Sequence, residues 1–176
     1  MARISYVEPA NAGPEVKEIY DQVFKGKPMN VHQAMAHRPR DLKNFITFYA
    51  SVGRGLPHKL YDLVYLRVSM INGCHYCTQH HIASGKKVGI GPEDVKALRT
   101  DETHARFTEQ ERAALSFAEK LTRTPGHITD ADIAKLKKHF SEAEIVDLDL
   151  LIGLVNLTNR FTDPLGLELE WKAESI

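Results

Sequence analysis

Apolar residues recur every three or four positions along most of the chain, which is the period of an amphipathic helix. No stretch alternates polar and apolar residues for long enough to predict a strand. The pattern predicts an all-α fold, with short loops joining the helices into a compact bundle. The predicted helices lie near residues 15–25, 40–53, 58–72, 75–88, 92–99, 109–123, 130–139 and 142–161.

Local start and stop signals support these limits. Thr108 with Glu111, and Ser141 with Glu144, have the spacing of capping boxes, in which each side chain binds the backbone N–H of the other residue. The Asn72-Gly73 pair ends the third predicted helix. We therefore expect a turn at that point and a new helix directly after it.

The last predicted helix is more apolar than a single buried stripe requires. Between Ile145 and Leu157, apolar residues cover much of its circumference. Such a helix is either central in its own core or buried against another subunit. A chain of 176 residues has limited material to wrap it, so we expect a homo-oligomer.

Composition narrows the class of protein. The chain carries 23 basic and 23 acidic side chains without a basic cluster, so a nucleic-acid partner is not expected. No signal peptide or membrane-spanning segment is predicted, and we expect a cytoplasmic protein without a membrane partner. One domain over 1–176 is expected, with an N-terminal helical lead at 1–55, a core at 56–89 and C-terminal helices at 90–176.

The stretch GCHYC holds the only two cysteines, Cys74 and Cys77. A helix that begins at Cys74 places both cysteines and His81 within about 60° of one another. Backbone N–H groups in a first helical turn stabilise a thiolate, the nucleophilic form of cysteine. The spacing therefore favours a redox pair, with His81 one turn further on as a base for the thiol proton.

Two more side chains are candidates for proton transfer. His80, three residues after Cys77, competes with His81, although the direction of His81 lies between those of the two cysteines. Asp62 would be about 18 Å from Cys74 on one continuous helix. If the chain folds back at Asn72-Gly73, Asp62 and His81 lie at comparable distances from the turn. The carboxylate can then orient the imidazole. The alternative is that Asp62 is a solvated acid in a first helical turn.

Other interpretations of the cysteines remain open at this point. Cys74 and Cys77 with His75, His80 or His81 supply three or four zinc ligands, but no separate segment supplies the usual second pair. We therefore expect no metal. Two buried thiols packed in a core are the other alternative.

The stretch from Leu56 to Gly89, LPHKLYDLVYLRVSMINGCHYCTQHHIASGKKVG, resembles the core of the AhpD-like alkylhydroperoxidases in the carboxymuconolactone decarboxylase superfamily. The shared pattern is an acid, an apolar run, Asn-Gly-Cys, CxxC, a histidine four residues later and a glycine. This resemblance implies an all-α fold, assembly as trimers or hexamers, and peroxidase activity without a cofactor.

By position, the resemblance implies that Cys77 is the cysteine oxidised by peroxide and Cys74 the resolving cysteine. His81 matches the relay histidine, and Asp62 falls where the family has a glutamate. Tyr76, between the cysteines, stands where the best-studied type has a histidine; Tyr76 and His80 are expected in supporting positions.

The resemblance thus predicts a cysteine-dependent peroxidase whose partners are a hydroperoxide and either a dithiol reductant protein or a small thiol. Three alternatives stay open. These are a general thiol–disulfide oxidoreductase, an enzyme like the decarboxylase branch, and a non-catalytic helical oligomer that senses redox state.

Overall fold

The computed structural model describes residues 1–100 and 106–172. Over these residues the secondary structure is helical and contains no strand, which confirms the all-α prediction. None of the helices in this part of the chain is long and apolar enough to cross a membrane. The α-helices are α1 (Pro14–Phe24), α2 (Asn30–Met35), α3 (Pro39–Ser51), α4 (His58–Ile71), α5 (His75–Gly85), α6 (Pro92–Arg99), α7 (Glu109–Arg123), α8 (Asp130–Leu136) and α9 (Glu142–Thr162).

The structure departs most from the predicted helices at three places. Helix α2 was not predicted, because six residues are too few to show a helical period. Helix α5 ends at Gly85 and not near residue 88, since the chain tightens there into a 3-10 turn, Lys86–Val88. Helix α8 ends at Leu136, three residues earlier than predicted.

The predicted capping boxes are present. The backbone N–H of Glu111 donates to the Thr108 hydroxyl at 3.1 Å, and the Thr108 N–H donates to the Glu111 carboxylate at 2.9 Å. Ser141 and Glu144 make the same reciprocal pair, at 3.3 and 2.8 Å. These bonds satisfy N–H groups that have no partner inside the helix.

Contacts divide the chain into two compact units. Among the described residues, the first contains 1–51 and 162–172. Its core packs α1 and α3 around Tyr20 and Leu42, both almost completely buried. The Tyr20 hydroxyl donates to the Val7 carbonyl at 2.9 Å, and burial raises the pKa of Tyr20 to about 12.

The second unit contains residues 52–161 and both cysteines. Helix α4 is its centre and packs against α5, α6 and α7. Leu63 and Leu66 of α4 are fully buried, together with Leu98 of α6. The prediction of one domain over the whole chain stays a prediction.

Helix α9 has a buried and an exposed side within the second unit. Leu148, Leu151 and Ile152 are completely buried, so the helix does contribute to the core. Val146 and Leu157, in contrast, are 58% and 50% exposed. The apolar circumference noted in the sequence therefore has both a buried part and a solvent-facing part.

Candidate active site

The chain reverses direction between α4 and α5 at the predicted break. Gly73 has a φ of 72°, a left-handed conformation that a residue with a Cβ rarely adopts. The backbone N–H of Cys74 then donates to the Ser69 carbonyl at 2.9 Å. The turn brings the first residues of α5 against the end of α4.

A network of side-chain amides holds this turn to α9. The side-chain amide of Asn72 donates to the side-chain Oδ1 atoms of Asn156 and Asn159, at 3.0 and 2.9 Å. Asn159 in turn donates to the Ser69 hydroxyl at 3.1 Å. The backbone carbonyl of Ser69 also accepts the Cys74 N–H. The network therefore holds Cys74, the residue at which α5 begins, in place.

Cys74 is the N-cap residue of α5. Its sulfur accepts a hydrogen bond from the Cys77 backbone N–H at 3.4 Å. Both thiols are buried, with Cys74 1% and Cys77 4% exposed. The positive end of the helix macrodipole and this N–H donor both stabilise a thiolate at Cys74.

Asp62 and His81 are in direct contact. The Nδ1 atom of His81 lies 2.7 Å from Oδ1 of Asp62, and both side chains are buried. A carboxylate only accepts hydrogen bonds, so Nδ1 carries the proton and donates it. The neutral imidazole then has its lone pair on Nε2, which is the arrangement a general base requires.

Ser84 completes the environment of the carboxylate. Its hydroxyl donates to the same Oδ1 atom of Asp62, at 2.7 Å. The alternative that Asp62 is a solvated helix-start residue is therefore wrong, since Asp62 is 7% exposed and accepts two hydrogen bonds from α5.

Two tyrosines of α4 surround the His81 ring. Tyr65 stacks on it with ring centroids 3.4 Å apart and an angle of 11° between the planes. The Tyr65 hydroxyl shares a 2.8 Å hydrogen bond with Thr158 of α9. Tyr61 lies further away, at 6.1 Å, and packs on Gly53, where any Cβ would collide with its ring. The imidazole is thus held by stacking as well as by Asp62.

His80 has a different neighbour. Its ring packs on Tyr76 of the same helix, with centroids 4.4 Å apart. Of the two candidate bases, His81 thus contacts the Asp62 carboxylate and His80 packs on Tyr76.

Burial decides the protonation of His81. Desolvation lowers the pKa of His81 below its usual 6.5, and this outweighs Asp62, whose hydrogen bond and charge act to raise it. The charge of His80 lowers the pKa further. The neutral form of His81, with Nε2 available, is therefore favoured at neutral pH.

Some residues of the site were not predicted. Ser84 follows His81 by three residues, and Tyr65 follows Asp62 by three, so both lie on the helix faces that were already under consideration. That spacing could have indicated them. In the residues that the structure describes, no group of three or more His, Cys, Asp or Glu side chains is placed to hold a metal ion.

The chain was compared with known proteins. Residues 39–120 match the model of the carboxymuconolactone decarboxylase family. YdfG of Bacillus subtilis (strain 168) is 29% identical over 106 residues, which cover 60% of this chain and 72% of YdfG.

Solved structures share the fold over nearly the whole chain. An uncharacterized peroxidase-related protein from Silicibacter sp. TM1040 superimposes with a TM-score of 0.84 at 25% identity, over 96% of this chain and 92% of that chain. An uncharacterized peroxidase-related protein from Ralstonia eutropha JMP134, an alkylhydroperoxidase AhpD core, superimposes with a TM-score of 0.82 at 22% identity. The match covers 96% of this chain and 92% of that chain. The debrominase Bmp8, solved with 2,3,4-tribromopyrrole, is similar in fold, with a TM-score of 0.78 at 20% identity. The match covers 97% of this chain and 94% of that chain.

The protein is thus an AhpD-like helical protein by its fold. Its segment 39–120, which is less than half of the chain, is similar to the carboxymuconolactone decarboxylase family.

Proposed function

We propose that the protein reduces hydroperoxides through a dithiol–disulfide cycle of Cys77 and Cys74. The observation that carries this proposal is the 2.7 Å contact between Asp62 of α4 and His81, which lies on the same helix as the cysteines. It leaves Nε2 of a neutral imidazole as a base one helical turn from Cys77. The peroxidase-related neighbours support the same chemistry.

In the first step, His81 takes the Cys77 proton and the thiolate attacks the peroxide oxygen. The O–O bond breaks, Cys77 becomes a sulfenic acid, and the alkoxide leaves as the alcohol with the proton from His81. In the second step, the Cys74 sulfur attacks the sulfenic sulfur, water leaves, and a disulfide forms. Two thiol groups of a reductant then restore both cysteines, and no cofactor is required.

Peroxide consumption by the purified, reduced protein tests the proposal. With dithiothreitol as reductant, cumene hydroperoxide or hydrogen peroxide should be consumed, and Cys77→Ser should abolish this. In Cys74→Ser, the sulfenic acid should persist and be trapped by dimedone. A general oxidoreductase would instead exchange disulfides without consuming peroxide, and a decarboxylase or redox sensor would do neither catalytically.

We also infer that the protein works as a homo-oligomer. The family resemblance implies trimers or hexamers, and α9 exposes Val146, Leu150 and Leu157 to solvent. Covering such an apolar face is the usual reason for subunit association. In sedimentation experiments, Leu150→Glu should give a smaller species than the unmodified chain. If both chains sediment as monomers, the inference is contradicted.

A further inference from the structure

A cleft of about 350 Å³ lies beside Cys74. Its walls come from the end of α4, the turn at Gly73, the first turns of α5 and Arg99 at the end of α6. This volume is at the lower end of the range for small-molecule sites. Cys74 is in its lining and Cys77 is not, so the cleft leads to one member of the pair.

Gln79 offers hydrogen-bonding groups to a ligand in this cleft. Its side chain lines the cleft and is only 9% exposed. It makes no hydrogen bond to any residue that the structure describes. An amide carries two N–H donors and a carbonyl acceptor, and from the wall of the cleft these groups can hydrogen-bond to a bound molecule.

The charged groups of the cleft specify what that molecule carries. Arg99 and His75 are exposed at its edge, and none of the described residues in its lining is acidic. Within 1–100 and 106–172, Arg99 makes no ion pair. A guanidinium presents parallel N–H groups that match a carboxylate, and the Gln79 amide adds a neutral donor. The cleft therefore suits a carboxylate.

The burial of Cys74 limits the size of the molecule that can react. Cys74 is 1% exposed and lies in the lining of the cleft, so a small thiol held in the cleft would lie beside its sulfur. We propose that this cleft binds a small thiol bearing a carboxylate, and that this thiol reduces the Cys74–Cys77 disulfide. The proposal rests on the dithiol cycle above and names its reductant.

The exchange proceeds in two balanced steps. The bound thiolate attacks the Cys74 sulfur, a mixed disulfide forms, and the Cys74–Cys77 bond breaks with its electron pair on Cys77. Cys77 leaves as a thiolate in the first turn of α5, where backbone N–H groups stabilise it. A second small thiol then attacks the mixed disulfide, and Cys74 leaves as a thiolate. The products are the reduced protein and the oxidised small thiol.

Recognition can be tested without any redox step. In Cys77→Ser, Cys74 is alkylated with iodoacetate and with iodoacetamide, two reagents of similar size that differ in the carboxylate. Mass spectrometry gives the two rates. We expect the iodoacetate-to-iodoacetamide ratio to be about tenfold higher than for a cysteine in an unstructured peptide, which corresponds to one charge-assisted contact.

Substitutions locate the preference. Arg99→Gln and Gln79→Leu should each return the ratio toward the peptide value, while Lys87→Ala, which removes an exposed cation outside the cleft, should leave it unchanged. Higher salt should reduce the ratio through screening. An unchanged ratio in Arg99→Gln, or no reaction at Cys74 with either reagent, overturns the proposal.

The reductive step is measured separately on protein oxidised with diamide. At equal thiolate concentration, mercaptoacetate should reduce the disulfide faster than 2-mercaptoethanol, and cysteamine should be slowest. Equal rates contradict the proposed reductant even if the protein consumes peroxide. A retained alkylation preference in a protein that consumes no peroxide contradicts the proposed function and leaves the carboxylate site standing.

Discussion

Helix α4 buries two charged side chains whose surroundings differ. Asp62, at 7% exposure, accepts hydrogen bonds from His81 and Ser84 of α5. Arg67, at 3%, donates to the Leu98 carbonyl at 2.5 Å and to the Glu119 carboxylate of α7 at 2.6 Å. One helix thus carries a buried acid and a buried base, five residues apart, and each has a polar partner on another helix.

The partners decide what each pair can do. Arginine keeps its proton at any physiological pH, so Arg67 and Glu119 form a permanent pair that holds α4 to α7. The imidazole of His81 can gain and lose a proton, so its pair with Asp62 can take one up and release it. A buried charge therefore indicates catalysis only when its partner titrates.

Removing the charge of Asp62 should have the largest effect. Asp62→Asn keeps an oxygen for His81 and Ser84 but cannot stabilise an imidazolium, and we expect the rate of peroxide reduction to fall about 10²–10³-fold. The free energy of unfolding should change by less than about 1 kcal/mol in urea titrations. Asp130→Asn, at an exposed helix start, is the matched control. A full rate in Asp62→Asn would remove the carboxylate from the mechanism.

Removing Glu119 should affect stability and not activity. Glu119→Ala takes a carboxylate from the buried Arg67, and we expect unfolding to become easier by about 3 kcal/mol. Arg67→Met removes the buried charge itself and leaves the Leu98 carbonyl without this donor, so the loss should be smaller, about 1–2 kcal/mol. Arg123→Ala, which removes an exposed partner of Glu119, should change little. A larger loss of unfolding free energy in Arg67→Met than in Glu119→Ala would contradict this explanation.

Ser84 should have a smaller effect on the rate. Ser84→Ala removes one of the two hydrogen bonds to Asp62 and leaves the carboxylate less well oriented, so we expect about a tenfold lower kcat with KM unchanged. Ser84→Thr retains the hydroxyl and should restore most of the rate. Ser116→Ala, at an exposed position of α7, serves as control. Failure of threonine to rescue would indicate a packing effect only.

The pH dependence should give the smallest effect. The pKa of His81 in the folded protein lies below the 6.5 of the unfolded chain. The unfolded chain therefore binds this proton first as pH falls. The contribution of His81 to stability is full above about pH 6.5, is lost as pH falls toward the folded pKa, and changes no further below it. Denaturation between pH 8 and pH 5 should show this loss in the unmodified chain and a smaller one in His81→Asn. Parallel curves would contradict it.

Much of this arrangement could be predicted from local spacing. The helical period and the capping residues gave most of the helices, and Asn72-Gly73 indicated the reversal that brings Asp62 to His81. Both depend on neighbours within a few residues, which a single sequence displays directly.

The remainder depends on contacts that are distant in the chain. The amides of Asn156 and Asn159 join the turn from a helix more than 80 residues away, and nothing in their local sequence specifies that partner. The same holds for Arg99, which enters the cleft from α6. Local patterns determine which face of a helix is buried, whereas the packing of several helices determines what it meets.

The hydrogen bond from the Cys77 N–H to the Cys74 sulfur links oxidation state to helix stability. A thiolate accepts this bond well and a disulfide sulfur poorly, so forming the disulfide weakens an N-cap, a contact worth about 0.5–2 kcal/mol. The Cys77 amide should consequently exchange its hydrogen faster in the oxidised protein than in the reduced one, and equal exchange rates would contradict the link. The first turn of α5 is then most stable in the dithiol form, so in the proposed cycle the secondary structure itself favours the return of the pair to the reduced state.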